Sequence, residues 1–169
     1  MNKRGRFNTK RVALCGLLLA MMLILGWIEK QIPTPHPAMK LGLSNSVLIF
    51  AVYMLDIPTA FVLMFFKVFL SNVMFGSLGV SFAMGLAGGA VSLTAMVLLS
   101  RMKGMHPVTV SIVGGVMHHV GQIIMAQLVV NTPGLMVSLP FLMLMGLFFG
   151  AVTGVCADRV MKYMKRMRL

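Results

Sequence analysis

Residues 108–131 read VTVSIVGGVMHHVGQIIMAQLVVN, and the reading of this stretch decides the fold. At ~1.5 Å per residue, a helix of this length crosses a ~30 Å hydrocarbon core. Near its middle stand His118, His119 and Gln122. Positions three and four apart share a helix face, so Ser111, Gly114, Gly115, His118, Gln122 and Met125 form one stripe, polar at its centre and small toward its start. At mid-membrane depth such a stripe is tolerated only against protein or a water-filled cavity. The rest of the chain therefore reads as the wall around it.

Composition supports that reading. Of 169 residues, 59% are hydrophobic and 11% are charged, against roughly 25% charged in ordinary soluble domains. The mean hydropathy is +0.93. A soluble fold could not hide this much apolar surface, so the expected class is an all-α integral membrane protein of one domain. The net charge of +12 does not indicate nucleic acid, because the basic residues flank apolar runs instead of forming a basic face beside aromatics. Cys15 and Cys156 lie in apolar segments without metal spacing and read as packing residues. The basic start followed by an apolar run resembles a signal peptide, but no small-x-small site follows it, so it reads as an uncleaved first span.

Six helices are expected, at about 12–28, 43–55, 58–76, 82–100, 108–131 and 135–158, between basic tails at 1–11 and 159–169. On the first, Gly16 and Ala20 form a small-xxx-small pair that packs within the bundle or docks a partner. Residues 29–43 carry Pro33, Pro35 and Pro37 and should be extended, a candidate lid over a site. The second helix is short for a full span, so 40–46 is expected to dip into the membrane. Asp56 is placed to cap the third helix, with Pro58 in its first turn. Gly85, Gly88, Gly89 and Ser92 give the fourth helix a flat face, and Gly146, Gly150 and Gly154 form a ridge on the sixth. His106 reads as a solvated loop residue. The two tails and the 101–107 loop hold 12 of the 15 Lys and Arg, which puts both termini in the cytoplasm. The location implied is the bacterial cytoplasmic membrane.

Lys67 lies at the centre of the third helix, where an ionisable group costs ~2.5–3.5 kcal/mol to insert. The acids Glu29, Asp56 and Asp158 all fall near span ends, so Lys67 reads as a buried cation whose counter-charge comes from a ligand. Ser71 shares its face, and Asn72 sits further round. The residue supply excludes several chemistries. There is no GxxxxGK[ST] loop for ATP, and no carboxylate cluster for magnesium-assisted diphosphate chemistry. His118 and His119 point about 100° apart and lack an acid at metal spacing. An enzymatic role is therefore not expected, and no cofactor or metal is called for. What remains is a binding cavity for a small anionic molecule with an apolar body. Its candidate lining is Lys67, His118, His119, Gln122, Lys40, Asn45 and Asn72, which supply positive charge and hydrogen-bond donors.

The six short spans, the basic tail before a small-xxx-small helix, the segment KLGLSN at 40–45 and HHVGQ at 118–122 together resemble one family. It is the Gx transporter family, also called heptaprenyl diphosphate synthase component I, which is similar to the substrate-binding S components of energy-coupling factor transporters. The resemblance covers about residues 8–160. It implies a six-helix bundle that binds a vitamin or precursor and docks on a transmembrane coupling protein driven by two ATPase subunits. The dock implied on this chain is Gly16 and Ala20, with glycine where the family's motif usually has alanine. The family's other name implies the alternative, a non-catalytic membrane component associated with polyprenyl diphosphate synthesis.

Overall fold

The computed structural model describes residues 9–32, 43–75, 79–130 and 133–167. Every regular element among them is helical: α1 (Thr9–Gln31), a 3-10 turn (Leu43–Asn45), α2 (Ser46–Met54), α3 (Ile57–Met74), α4 (Val80–Ser100), α5 (Pro107–Val130), a second 3-10 segment (Pro133–Ser138) and α6 (Leu139–Met167). Five helical stretches are long and apolar enough to cross a membrane. The exception is α2. Its nine residues span about 14 Å, less than half of a ~30 Å core.

Although short, α2 touches each of the five long helices. Val47, Leu48, Ile49 and Ala51 are all buried, and a helix that is apolar all round belongs in an interior. It packs into the bundle with its first half buried; the segment expected to dip into the membrane, 40–46, precedes it and lies partly outside the described residues. One end of α2 meets α3 at Asp56, beside Arg11 of α1. The other end, at Asn45, therefore lies part-way along the bundle.

The outer surface is apolar and the interior carries the polar groups. Leu17, Ile24, Phe65, Leu98, Leu128 and Phe148 are exposed, while Lys67, Asn72, Ser92, Ser111, His118, His119 and Gln122 are buried. That inversion suits a hydrocarbon surround. The strongest packing unit is α4–α5–α6, joined by glycine seams. A Cβ on Gly150 would stand 2.8 Å from the Ile112 Cα, and one on Gly114 would stand 2.6 Å from Met96 Cγ. The link between α4 and α5 turns at Gly104, whose φ of +88° favours a residue without Cβ.

Several expectations are corrected. Helix α1 runs to Gln31, so Glu29 and Lys30 belong to it and not to a loop; Lys30 Nζ sits 4.0 Å above the Phe75 ring. Asp56 occupies the N-cap of α3 without a side-chain capping bond, because its carboxylate pairs with Arg11 instead. The sixth helix starts after a 3-10 segment and continues through most of the basic tail. Lys162 on that extension bonds Asp158 one turn back at 2.6 Å. Exposed Cys156 is not a packing residue. Pro58 falls in the first turn of α3, as its fixed φ favours.

Candidate functional site

Lys67 is only 9% exposed, and its ammonium donates to Asn45 Oδ1. The amide oxygen takes one of the ammonium hydrogens but, being neutral, brings no counter-charge. Asn45 ends the 3-10 turn and stands at the N-cap of α2 with helical dihedrals, φ −75° and ψ −19°. An N-cap Asn in extended conformation turns its oxygen onto the helix amides and contributes about 1 kcal/mol. Here the backbone runs helically from the 3-10 turn into α2, the capping bond is not made, and the oxygen goes to Lys67. Asn72 is buried on the same helix as Lys67, but its amide donates to the Val68 carbonyl at 2.7 Å, which spends one hydrogen on its own backbone.

The polar centre of α5 divides between two neighbours. His118 and Gln122 face α4 at Gly88, where an added Cβ would come within 2.7 Å of Gln122 Cγ and 3.0 Å of His118 Nδ1. His119 faces α6, its ring within 2.8 Å of the Cβ position of Gly146. The two imidazoles are 5.8 Å apart between centroids and inclined at 69°, so they do not converge on one point. His119 is 1% exposed and Gln122 is 2% exposed. Gln122 lies near the His119 ring, yet neither ring nitrogen of His119, nor Gln122 Nε2, nor Asn45 Nδ2 has a hydrogen bond of normal geometry. Each such buried group costs ~1–3 kcal/mol relative to one that is satisfied, so native proteins leave few of them without a purpose.

A cavity of about 20 Å³ lies where α4, α5 and α6 meet the start of α2. Asn45, Ser92, Ser111 and Thr153 bring polar groups to it, and glycines of α5 and α6 form much of its wall. Lys67 reaches this wall through Asn45. Helices α3 and α5 are not among the pairs that pack extensively, so the expected site is brought together in part: Lys67 with Asn45, and Asn45 with the α5 wall around Gly114 and Gly115. The row at 118–122 lies further along α5. Lys40 and the proline-rich candidate lid fall outside the described residues. Sequence reasoning missed Thr153. Its signal is a hydroxyl one turn beyond Phe149 and three residues after Gly150, beside the glycine ridge.

On α1 the small pair is open. Gly16 and Ala20 are exposed, and a Cβ on Gly16 would meet nothing within 4 Å. This pair is not used for packing inside the bundle.

A polytopic helical membrane protein with a polar, partly unsatisfied interior is the class these features define. The particular family follows from its model, which matches residues 18–160: the chain belongs to the heptaprenyl diphosphate synthase component I family. None of the curated proteins and none of the solved structures matches the chain.

Proposed function

We propose that the chain is the cargo-binding membrane subunit of an energy-coupling factor type importer, an S component, for a small anionic or amphipathic vitamin or precursor. The observation that carries this reading is a pair of buried amide donors, Asn45 Nδ2 and Gln122 Nε2, that have no hydrogen-bond partner among the described residues, with the buried His119 ring beside Gln122. A cargo molecule that bonds them recovers the desolvation free energy they hold, and so binds selectively over apolar lipid. Lys67, set against Asn45, adds positive potential to the same interior. The chain holds no phosphate-binding loop, so the work of transport falls to partner ATPases through a transmembrane coupling protein. The open Gly16–Ala20 face of α1 is the surface proposed to meet that protein, since small residues let helices approach closely.

The test is purification of the intact protein from its host membranes, with native mass spectrometry for retained cargo and identification of co-purifying chains. An ATPase pair with a coupling protein, and a retained small molecule lost on His119→Leu or Gln122→Leu, is the expected result. The family's description favours a second reading, a non-catalytic membrane component of heptaprenyl diphosphate synthase. Capture of a soluble, aspartate-rich synthase without any ATPase would replace the first reading with the second.

A further inference from the structure

The oxygen and nitrogen of an Asn side chain are ordinarily assigned from their surroundings, and here the surroundings leave one choice. A lysine ammonium has donors and no acceptor. The Asn45 carbonyl oxygen must therefore face Lys67, and the amide nitrogen turns the other way. Asn45 is more than nine-tenths buried, it lines the cavity of about 20 Å³, and Nδ2 has no hydrogen-bond partner among the described residues.

The opposite walls carry three hydroxyls whose hydrogens are committed. Ser92 Oγ donates to the Gly114 carbonyl at 2.7 Å. Thr153 Oγ1 donates to the Phe149 carbonyl at 2.6 Å. Ser111 Oγ and Thr153 Oγ1 are 3.3 Å apart, and since the Thr153 hydrogen is spent, Ser111 is the donor of that pair. What the hydroxyls have left are lone pairs. The cavity thus offers an N–H on one side and oxygen lone pairs on the other, in a space that holds one oxygen atom.

We propose that this seat binds a single hydroxyl oxygen, and that Lys67 serves it only as a positioning residue, through Asn45. A hydroxyl accepts from Asn45 Nδ2 and donates to Ser92 or Ser111. A carboxylate or phosphate oxygen accepts only and would face the serine lone pairs; an ammonium would face the Asn45 N–H. The hydroxyl belongs to a water molecule or to the alcohol end of a bound compound, and the chemistry is the same for both. The seat stands independently of whether the chain serves an importer.

The experiment uses the full chain, with ¹⁵N-labelled asparagine, in lipid nanodiscs. The readout is cross-relaxation from the Asn45 side-chain amide protons, first in buffer and then with methanol or formate at equal concentration. A cross-peak to a long-lived water is expected in buffer, and formate leaves it unchanged. If methanol replaces it with a methyl cross-peak, alcohols reach the seat; if the water persists, the seat is permanently hydrated. Either result supports hydroxyl chemistry. Absence of any cross-peak in buffer, or its displacement by formate, overturns the proposal. Lys67→Arg keeps a donor-only group beside Asn45 and should retain the signal, while Lys67→Met frees the amide to turn and should weaken it at least twofold. Equal signals in the two variants would remove the positioning role. Ser92→Ala, which leaves Asn45 and Lys67 in place, should also weaken the cross-peak at least twofold, and an unchanged signal would take Ser92 out of the seat.

Discussion

On α6 the glycines at 146, 150 and 154 each lie against α5, whereas on α1 the similarly spaced Gly16 and Ala20 lie open to the outside of the bundle. The difference comes from the rest of each helix. The buried residues of α1 are Leu18, Met22 and Glu29, a single narrow stripe at spacings of four and seven. Residues 16 and 20 each stand two positions from Leu18, about 200° round the helix, and so face away from that stripe. On α6 the glycines share a face with Thr153, which shares hydrogen bonding with Ser111 across the seam. The spacing of small residues shows that two helices can approach; the position of the other buried residues shows whether the approach is used inside the chain.

The sharpest way to break this comparison is to add a large side chain to each seam. Gly150→Leu places its Cβ 2.8 Å from the Ile112 Cα, and backbone yields little, so a loss of about 3 kcal/mol is expected in reversible unfolding in mixed micelles. Gly16→Leu meets nothing and should change stability by less than ~0.5 kcal/mol, while transport falls if the chain is an importer subunit that docks through α1. Equal destabilisation by the two would mean that α1 packs inside the bundle after all.

Next in size is the Lys67–Asn45 pair. The Lys67 ammonium donates to the Asn45 amide oxygen, and a hydrogen bond to a charged group contributes ~1.5–3 kcal/mol. Asn45→Leu is expected to cost an amount in that range. Lys67→Met combined with Asn45→Leu should recover most of the loss in the same unfolding assay. A double variant no more stable than Asn45→Leu alone would show that the two residues act separately. A smaller effect is expected at His119. Its ring nitrogens make no hydrogen bond of normal geometry, although Gln122 lies against the ring, so His119→Leu should change stability by no more than ~1 kcal/mol. Retained cargo, by contrast, should fall at least tenfold by mass spectrometry.

Much of the fold is legible in the sequence, because hydrophobic length and helix breakers act locally. The runs around 58–76, 82–100 and 108–131 fall within a few residues of α3, α4 and α5, and the sharing of a face by His118 and Gln122 follows from helical period alone. The site is less legible. Lys67 and Asn45 meet across 22 positions, and nothing periodic links a helix centre to a 3-10 turn. The depth of α2 is also hidden: an apolar stretch near 43–55 reads as a short span until packing shows it in contact with all the long helices. At Asp56, local capping logic lost to a long-range ion pair, since Arg11 is close enough to take the carboxylate.

That ion pair is the smallest effect and sharpens the comparison from its weak side. Arg11 and Asp56 tie the start of α1 to the α2–α3 turn, with 52% and 61% of their side chains exposed. Exposed pairs typically contribute 0.2–1 kcal/mol, because water and salt screen them and two long side chains must be held still. Asp56→Asn is expected to cost about 0.5 kcal/mol in low salt, with the difference from the parent protein vanishing at about 1 M salt, where the Debye length is ~3 Å. The same substitution leaves Pro58 to start α3, so the helix itself should persist. A salt-independent loss of several times that size would mean that α1 is held to the bundle chiefly by its polar end, and that its narrow apolar stripe at Leu18 and Met22 contributes little.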